Sequence, residues 1–380
     1  MIKEIFEKEF GSGYRMFSAP GRVNLIGEHT DYNLGFVLPG AIDQSINVAI
    51  KPNGSKRCKI IAVDLNKRTA FSIEDTNPNI LGWAKYPFGV VKEMEKLGLK
   101  IQGFDAVFGG NIPLGAGLSS SAALESVFAF ALNQLYGFNL SKEELARIGQ
   151  RAEHNYAGVK CGIMDQFASL FGKADHFIRL DCRDLSVELF PFHSTGYTIL
   201  LIDTCVKHNL AASEYNNRRE QCEEGVSIIS KKHKDVKSLR DVSVDMLEES
   251  KSEMNPVVYN RCTYVVEENA RLLLTCKALS NNHFDKVGKL LYGSHEGLKD
   301  KYEVSCKELD YLVDLASKTK GVMGARMMGG GFGGCTINLV KDNAVEDLIS
   351  KANSEYKRWF DRKPKIYKVK ISDGAREIFS

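Results

Sequence analysis

The sequence predicts a globular protein in which helices and strands are mixed, divided into two or three domains. The chain has 380 residues, and at about 150 residues per domain this length provides for more than one hydrophobic core. Hydrophobic residues make up 43% of the chain and charged residues 26%, which are ordinary globular proportions. Along the chain, apolar and β-branched residues occur both in short runs typical of strands and at the spacing typical of helices.

The first strands are predicted near the N-terminus. Residues 45–50 and 57–63 are rich in β-branched and other apolar side chains. Between them stands Asn53-Gly54, a dipeptide typical of tight turns. We therefore expect the two runs to pair as a β-hairpin.

Two helices are predicted in the middle of the chain. Residues 122–135 place apolar side chains at helical spacing, and Gly137 is expected to end this helix. A second helix begins at the capping box Ser141-Lys-Glu-Glu144 and is expected to run towards Tyr156.

The hydrophobic pattern is interrupted between residues 191 and 196, and we place a domain boundary there. The predicted domains are residues 1–192 and residues 193–380. The elements predicted after the boundary are a strand at 197–203, charged helices at 210–230 and 260–279, and a strand at 335–340.

Charge and cysteine content indicate a cytoplasmic protein that acts on a small molecule. Lys and Arg total 51 against 48 Asp and Glu, and a net charge of +3 lacks the basic field of a nucleic-acid binder. The N-terminal residues contain no apolar signal segment, and no stretch is typical of a membrane helix. The nine cysteines are odd in number and include no C-x-x-C pair, so free thiols in a reducing compartment are expected. Neither a nucleic-acid nor a membrane partner is predicted.

Glycine is concentrated in three segments that contain the candidate chemistry. Thirteen of the 33 glycines fall within residues 19–40, 109–121 and 329–334. Glycine allows a backbone to turn sharply and to approach a ligand closely. Each segment is therefore a candidate binding loop.

The segment that precedes the helix at 122–135 is a candidate phosphate loop. It reads Asn111-Ile-Pro-Leu-Gly115-Ala-Gly117-Leu-Ser119-Ser-Ser121, and a glycine loop at a helix N-terminus suits an anion. Serine hydroxyls there can cap the helix or bind Mg²⁺. No Lys follows, so it is not a Walker A loop, and no GxSxG motif is present. A serine-capped turn without a ligand remains an equal alternative on this segment alone.

The segment Met328-Gly-Gly-Gly-Phe-Gly-Gly334 fits the pattern GxGxxG but not its structural context. A dinucleotide-binding loop requires a helix after the motif, whereas residues 335–340 are strand-like. The segment is therefore either a ligand loop or a structural turn, and a nicotinamide-dependent dehydrogenase is not supported.

Residues 19–33 form a polar segment suited to a sugar. They include Arg22, Asn24, Glu28, His29, Asp31 and Asn33. Ionised carboxylates each accept up to four hydrogen bonds, so this cluster can bind several hydroxyl groups. No second His stands near His29 at a zinc-binding spacing. A polar surface loop is the alternative.

Together these segments resemble the GHMP kinase superfamily and, within it, the galactokinase family. Residues 19–33 resemble the galactokinase signature, 113–125 the superfamily's phosphate loop and 328–334 its third glycine-rich motif. Residues 161–166 and 213–222 are also galactokinase-like, and the similarity extends over essentially the whole chain. The resemblance implies an α+β fold of two lobes with the active site in the cleft between them. It implies phosphorylation of the C1 hydroxyl of galactose by ATP, the first committed step of galactose catabolism in the Leloir pathway.

The resemblance also implies residue roles. Asp165 is the expected catalytic aspartate and Arg22 its charge-stabilising partner. The expected sugar contacts are Glu28, His29, Thr30, Asp31, Gly162 and Tyr215. The expected ATP-binding residues are Gly115, Ala116, Gly117, Leu118, Ser119, Ser120 and Ser121. The expected Mg²⁺ ligands are Ser121 and Glu153.

Elementary chemistry is consistent with these roles and leaves some alternatives open. Phosphoryl transfer depends mainly on positioning and charge neutralisation, and one carboxylate can accept the hydroxyl proton. An adjacent Arg lowers the pKa of an Asp, so Asp165 either abstracts the proton or mainly orients the hydroxyl. The alternatives are a kinase for a related sugar such as N-acetylgalactosamine and a non-catalytic galactose sensor. The intact serine-rich loop favours an enzyme, and no obligate protein partner is expected.

Overall fold

The computed structural model describes residues 1–76, 82–113, 115–193, 195–206 and 211–379. Its strands are Arg15–Asn24 (β1), Phe36–Val37 (β2), Pro39–Pro52 (β3), Arg57–Ala62 (β4), Lys67–Ser72 (β5), Phe104–Gly110 (β6), His176–Asp181 (β7), Val187–Pro191 (β8), Tyr197–Asp203 (β9), Val322–Met327 (β10), Cys335–Lys341 (β11), Lys365–Val369 (β12) and Arg376–Ile378 (β13).

The helices account for more of the described chain than these strands. They are Ile2–Phe10 (α1), Lys85–Lys96 (α2), Ser120–Tyr136 (α3), Lys142–Ala152 (α4), Met164–Phe171 (α5), Ala211–Lys232 (α6), Val244–Ser250 (α7), Pro256–Ser280 (α8), Phe284–Glu296 (α9), Lys307–Ser317 (α10), Val345–Lys351 (α11) and Lys357–Phe360 (α12). Single π-helical turns follow α4 at Glu153–Ala157 and α9 at Gly297–Lys301.

Three sheets organise the fold. A six-stranded sheet has the order β13-β1-β3-β6-β4-β5, a three-stranded sheet the order β2-β7-β8, and a four-stranded sheet the order β10-β11-β9-β12. Helices α3 and α5 pack on β1 and β3 of the six-stranded sheet. The four-stranded and three-stranded sheets are antiparallel and the six-stranded sheet contains one parallel pair, β4 with β6; with helices packed against them they make this an α+β fold, as the resemblance implies.

The core is continuous across the predicted domain boundary. The largest apolar cluster joins Phe17 and Val48 of the first half to Ile199, Leu272 and Ile337 of the second. Strand β13 also returns from the end of the described chain to the sheet built by the first half. The boundary at residues 192/193 therefore stays a prediction.

The predicted hairpin of 45–50 with 57–63 is wrong. Both runs are strands, but β6 lies between them, antiparallel to β3 and parallel to β4. In the link, the Asn53 N–H donates to the Gly103 carbonyl at 3.0 Å and the Gly103 N–H donates to the Ser55 carbonyl at 2.7 Å. The turn between β3 and β4 thus holds the segment from which β6 begins. Because β6 is buried, it gives β3 and β4 an apolar neighbour.

The predicted helices are confirmed, with some changed bounds. Gly137 ends α3 in a left-handed conformation with φ of 62°, and the Ser141–Glu144 capping box begins α4. The helix at 210–230 matches α6, although Leu210 lies outside the described residues. The helix at 260–279 begins earlier, because Asn255 caps α8 ahead of Pro256.

Candidate active site

A small polar cavity of about 140 Å³ lies where the sugar-like segment, the start of α5 and the glycine run come together. Its lining is formed by Arg22, Glu28, His29, Asp31, Glu153, Val159, Cys161, Gly162, Met164, Asp165, Tyr215, Gly329 and Gly330. Segments that are more than 300 residues apart in sequence thus form one site.

Arg22 and Asp165 form a bidentate ion pair at the edge of this cavity. The Arg22 Nε atom donates to Asp165 Oδ1 at 2.8 Å, and Nη2 donates to Oδ2 at 3.1 Å. The same guanidinium donates to the Gly117 carbonyl at 2.6 Å, and the Ser119 hydroxyl donates to Asp165 Oδ2 at 2.5 Å. Burial opposes the charge of Arg22, but Asp165 and then Glu28 raise the pKa of its guanidinium. The aspartate is thereby fixed beside the candidate phosphate loop by a bidentate pair with Arg22.

Local structure aims the two members of this pair at each other. The pairing of β1 with β3 shifts between Pro20 and Arg22, and this bulge turns the Arg22 side chain. Asp165 is the second residue of α5, where a helix N-terminus favours negative charge. The Ser169 hydroxyl donates to the Pro20 carbonyl at 2.7 Å and fixes α5 on β1.

One oxygen of the Glu28 carboxylate accepts hydrogen bonds from two protein groups. Its Oε1 accepts from Arg326 Nη2 at 3.1 Å and from the Gly329 N–H at 2.8 Å. The Tyr264 hydroxyl donates to the Glu28 carbonyl at 3.0 Å. This carboxylate therefore fixes the glycine run against the sugar-like segment as well as lining the cavity.

Asp31 is a buried carboxylate packed against Gly162. A Cβ built on Gly162 would lie 1.9 Å from Asp31 Oδ2, so only glycine fits there. Burial and then the nearby Asp165 and Glu28 raise the pKa of Asp31 to about 7. Asp31 and Gly162, two of the predicted sugar contacts, both line the cavity and are in contact with each other.

His29 is buried and neutral. Burial, then the charge of Arg218 and that of Arg326, lower its pKa to about 3. Its Nδ1 lies 2.8 Å from the Tyr32 hydroxyl, which lies 2.8 Å from the Tyr302 hydroxyl. Its Nε2 atom makes no hydrogen bond of normal geometry among the described residues, although the Gly330 carbonyl acts on the ring as an acceptor and opposes the fall in its pKa.

The two remaining sugar candidates differ in position. Tyr215, on α6, lines the cavity with its ring centroid 5.2 Å from that of His29. Thr30 does not line the cavity, because its hydroxyl lies within hydrogen-bond distance of the Gly27 and Phe36 carbonyls and holds the loop. A contact between Thr30 and a sugar stays a prediction.

The predicted phosphate loop, residues 115–121, leads directly into α3. Its backbone takes positive φ at Gly115, Gly117 and Ser119, and the Arg22 N–H donates to the Leu118 carbonyl at 3.3 Å. The Ser119 side chain does not cap α3, since its hydroxyl is bonded to Asp165. The first amides of α3 are thus left without a side-chain cap, as an anion-binding helix start requires.

The two predicted metal ligands lie together. The Ser121 hydroxyl donates to Glu153 Oε1 at 3.2 Å, and Gln166 Nε2 donates to Oε2 of Glu153 and of Glu125, each at 2.9 Å. Glu153 stands in the π turn, where burial and then Asp165 raise its pKa to about 7. A buried carboxylate that forms no ion pair within the described part of the chain, beside a hydroxyl, provides the hard oxygen ligands that Mg²⁺ prefers.

A second, largely apolar cavity of about 390 Å³ adjoins the phosphate loop. It is lined by Ser120 and Ser121 on one side and by Trp83, Tyr86 and Phe108 among others. The Trp83 and Phe108 ring centroids are 5.2 Å apart. A flat aromatic ligand next to bound phosphates suits such walls.

Sequence reasoning missed several of these residues. Arg326 is fully buried, and its guanidinium also donates to the Leu25 carbonyl at 2.8 Å. Arg326 stands two residues before the segment Met328–Gly334, and this position was a sequence signal that could have identified it as a site residue. Gln166 directly follows Asp165, but nothing local marks it as the bridge between two carboxylates. The aromatic cavity gave no signal, since its members are spread along the chain.

Comparison with known proteins first identifies the class. The model of the GHMP kinases N terminal domain matches residues 85–173, and that of the GHMP kinases C terminal matches residues 276–358. A mevalonate kinase structure from Methanococcus jannaschii superposes with a TM-score of 0.67 over 95% of this chain and 99% of that chain, at 20% identity. This last likeness shows the fold alone. The fold and the glycine-rich loops are those of the GHMP kinases.

The particular family follows from nearer relatives. The galactokinase galactose-binding signature matches residues 4–52. The galactokinase of Thermosipho africanus is 45% identical over 95% of this chain and 99% of its own, and that of Thermotoga maritima is 42% identical over the same shares. The crystal structure of Lactococcus lactis galactokinase complexed with galactose superposes with a TM-score of 0.93 at 34% identity, over 99% of this chain and 98% of that chain. The chain belongs to the galactokinase family, and the resemblance stated from its motifs is confirmed.

Proposed function

We propose that this chain transfers the γ-phosphoryl group of ATP to the C1 hydroxyl of galactose, the first committed step of galactose catabolism. The observation that carries the proposal is the Arg22–Asp165 pair. It lies between a cavity lined by sugar-type hydrogen-bonding groups and a glycine loop at the start of a helix. A galactose-bound family member with the same fold supports the choice of sugar.

Asp165 receives the sugar hydroxyl and Arg22 balances the charge. The carboxylate accepts a hydrogen bond from the C1 hydroxyl and orients its oxygen for in-line attack on the γ-phosphorus. Arg22 and Ser119 already donate to Asp165 and so fix the direction of its carboxylate. Positioning of the hydroxyl is therefore the contribution that this geometry supports. Arg22 and the uncapped amides of α3 stabilise the charge that develops on the transferred group.

Nucleotide binding is divided between the loop and the aromatic cavity. Residues 115–121 hold the phosphates, and the walls formed by Trp83, Tyr86 and Phe108 hold the base. Ser121 and Glu153 hold Mg²⁺, which when bound neutralises phosphate charge. The described residues contain no ready group of three or more His, Cys, Asp or Glu side chains for a metal. The remaining ligands therefore come from phosphate oxygens and water, as is usual for Mg²⁺.

A panel of free sugars tests the substrate. Galactose, glucose, mannose and N-acetylgalactosamine are each supplied with ATP and Mg²⁺, ADP release is measured, and ³¹P NMR locates the phosphate on the product. We expect turnover with galactose and phosphate on C1. Turnover of another hexose without galactose would refute the substrate, and sugar binding without any ADP release would favour the non-catalytic sensor. The comparisons do not favour either alternative.

Ser121→Ala tests the metal ligands. Removing one oxygen ligand should raise the Mg²⁺ concentration that gives half-maximal rate by about tenfold at fixed ATP, within the range for lost metal contacts. Ser72→Ala, which removes a half-buried hydroxyl that lines neither cavity, is the control. An unchanged Mg²⁺ titration would exclude Ser121 as a ligand.

The compartment is also part of the proposal. All nine cysteines lie in the described residues, none forms a disulfide and six are buried. Free thiols persist in a reducing compartment, which supports a cytoplasmic location. Separately, no helix in the described part of the chain is long and apolar enough to cross a membrane.

A further inference from the structure

Behind the His29 ring, groups from distant parts of the chain form a continuous row that the reaction does not use. The Tyr32 hydroxyl lies 2.8 Å from His29 Nδ1 and 2.8 Å from the Tyr302 hydroxyl. The Tyr302 hydroxyl lies 3.2 Å from the Cys222 Sγ atom. We call these four residues the His29 relay. It connects the sugar-like segment with α6 and with the residue that follows the second π turn.

The His29 ring carries a single N–H at neutral pH. It is only 4% exposed, and burial with the charges of Arg218 and Arg326 keeps it uncharged. One ring nitrogen therefore donates and the other accepts. The hydrogen bond made by one nitrogen decides which of them holds the hydrogen.

Two arrangements of hydrogens satisfy the relay. In the first, Tyr302 donates to Tyr32, Tyr32 donates to His29 Nδ1, and Nε2 carries the hydrogen. In the second, His29 Nδ1 carries the hydrogen and donates to Tyr32, Tyr32 donates to Tyr302, and Nε2 carries a lone pair. Imidazole nitrogen is the strongest base in the row and a phenol hydroxyl is a better donor than a neutral imidazole N–H, so the first arrangement is favoured. The thiol of Cys222 is a weak donor and a weak acceptor, so it has little effect on which arrangement is favoured.

We propose that Tyr32 and Tyr302 are positioning residues that hold His29 in the tautomer with hydrogen on Nε2, so that His29 donates to a sugar oxygen. The inference rests on the proposed function, since it takes the polar cavity as the sugar site. Nε2 is the buried ring atom that makes no hydrogen bond of normal geometry among the described residues; the Gly330 carbonyl acts on the ring as an acceptor, and a bound sugar oxygen takes that place. Asp31, when ionised, only accepts. The cavity therefore requires one hydroxyl that accepts from His29 and another that donates to Asp31.

The tautomer is measured directly in the sugar-free protein. In the chain labelled with ¹⁵N-histidine, the protonated and unprotonated ring nitrogens give separate signals, and the loss of one set in His29→Gln identifies His29. We expect the hydrogen on Nε2. A hydrogen on Nδ1 would overturn the proposal, whatever sugar the enzyme uses.

Two substitutions that each remove one hydroxyl test the positioning role. Tyr32→Phe should raise the KM for galactose about five- to tenfold, the usual effect of one lost buried hydrogen bond, and should give a mixture of His29 tautomers. Tyr302→Phe should raise this KM about two- to fivefold. The kcat and the KM for ATP should stay within about twofold. Tyr292→Phe is the matched control, because its buried hydroxyl has no partner among the described residues.

The outcomes separate this inference from the proposed function. Unchanged His29 signals together with an unchanged KM in both variants would overturn the relay while leaving galactose phosphorylation intact. If the native chain does not phosphorylate galactose, the proposed function fails, and the NMR measurement still decides the tautomer. If Tyr32→Phe does not fold, the ¹⁵N-histidine spectrum of the native chain and the KM of Tyr302→Phe for galactose still test the proposal.

Discussion

Gly162→Ala tests whether the Asp31 carboxylate must be held in one place for galactose to bind. A methyl carbon on Gly162 would lie 1.9 Å from Asp31 Oδ2, 2.1 Å from Cγ and 2.6 Å from Cβ. Ordinary contact begins at 3.4 Å. The carboxylate must therefore move by about 1.5 Å, the difference between 3.4 and 1.9 Å, and its Cβ must move as well.

The expected effect is large and specific to the sugar. Misplacing a reacting or binding group by about 1 Å can cost on the order of 100-fold in rate. We expect kcat/KM for galactose to fall on the order of 100-fold in Gly162→Ala. The KM for ATP should stay within about twofold, because the three atoms nearest an added methyl carbon on Gly162 all belong to Asp31 and none to residues 115–121. Overpacking of this kind should also lower the free energy of unfolding by about 1–3 kcal/mol.

The assay is ADP release at varied galactose and varied ATP, with thermal unfolding measured alongside. Gly293→Ala is the control, because an added Cβ there would meet only the Arg271 side chain at 3.4 Å, an ordinary contact. A Gly162→Ala enzyme with native KM for galactose and native stability would show that Asp31 is not fixed against Gly162.

Two further predictions concern the carboxylates of the cavity. Asp165→Asn should lower kcat by about 10²- to 10⁴-fold, the usual contribution of a positioned acid–base group, while galactose binding measured by calorimetry changes little; native turnover would remove Asp165 from the mechanism. Asp31 has a pKa of about 7 in the fold against an ordinary value of 3.8, so between pH 4 and 7 the folded chain keeps a proton that the unfolded chain has lost. Stability should therefore fall as the pH rises through this window. Asp31→Asn should make that fall shallower in thermal unfolding of the ligand-free protein, and an identical pH slope would contradict the raised pKa.

Local signals predicted the elements whose ends are set by neighbouring residues. The end of α3 at Gly137 and the start of α4 at Ser141 both depend on contacts within four residues. The hairpin prediction failed because the partner of β3 is β6, which lies some 50 residues further along the chain. A turn dipeptide marks a change of direction, but the strand that fills the neighbouring place is chosen by burial across the whole sheet.

The same distinction applies to the site. Residues that lie within the motifs, such as Arg22 and Asp165, were recognised from sequence, and the structure brings them into contact. Their supports were not recognised. Arg326 and Tyr302 act on the sugar-like segment from about 270 to 300 positions away. Apart from the place of Arg326 shortly before the glycine-rich segment, no periodicity or spacing in the sequence points to these contacts.

The return of β13 to β1 has a consequence for synthesis of the chain. Arg15 and Glu377, which pair across this seam, are 362 positions apart. A ribosome that makes the protein from its N-terminus therefore presents β1 with one edge unpaired until residues 376–378 have emerged. An exposed edge is a template for association with other chains. The yield of correctly folded enzyme should depend on how fast this last segment reaches its place, so the rate of translation through the second half becomes a determinant of solubility.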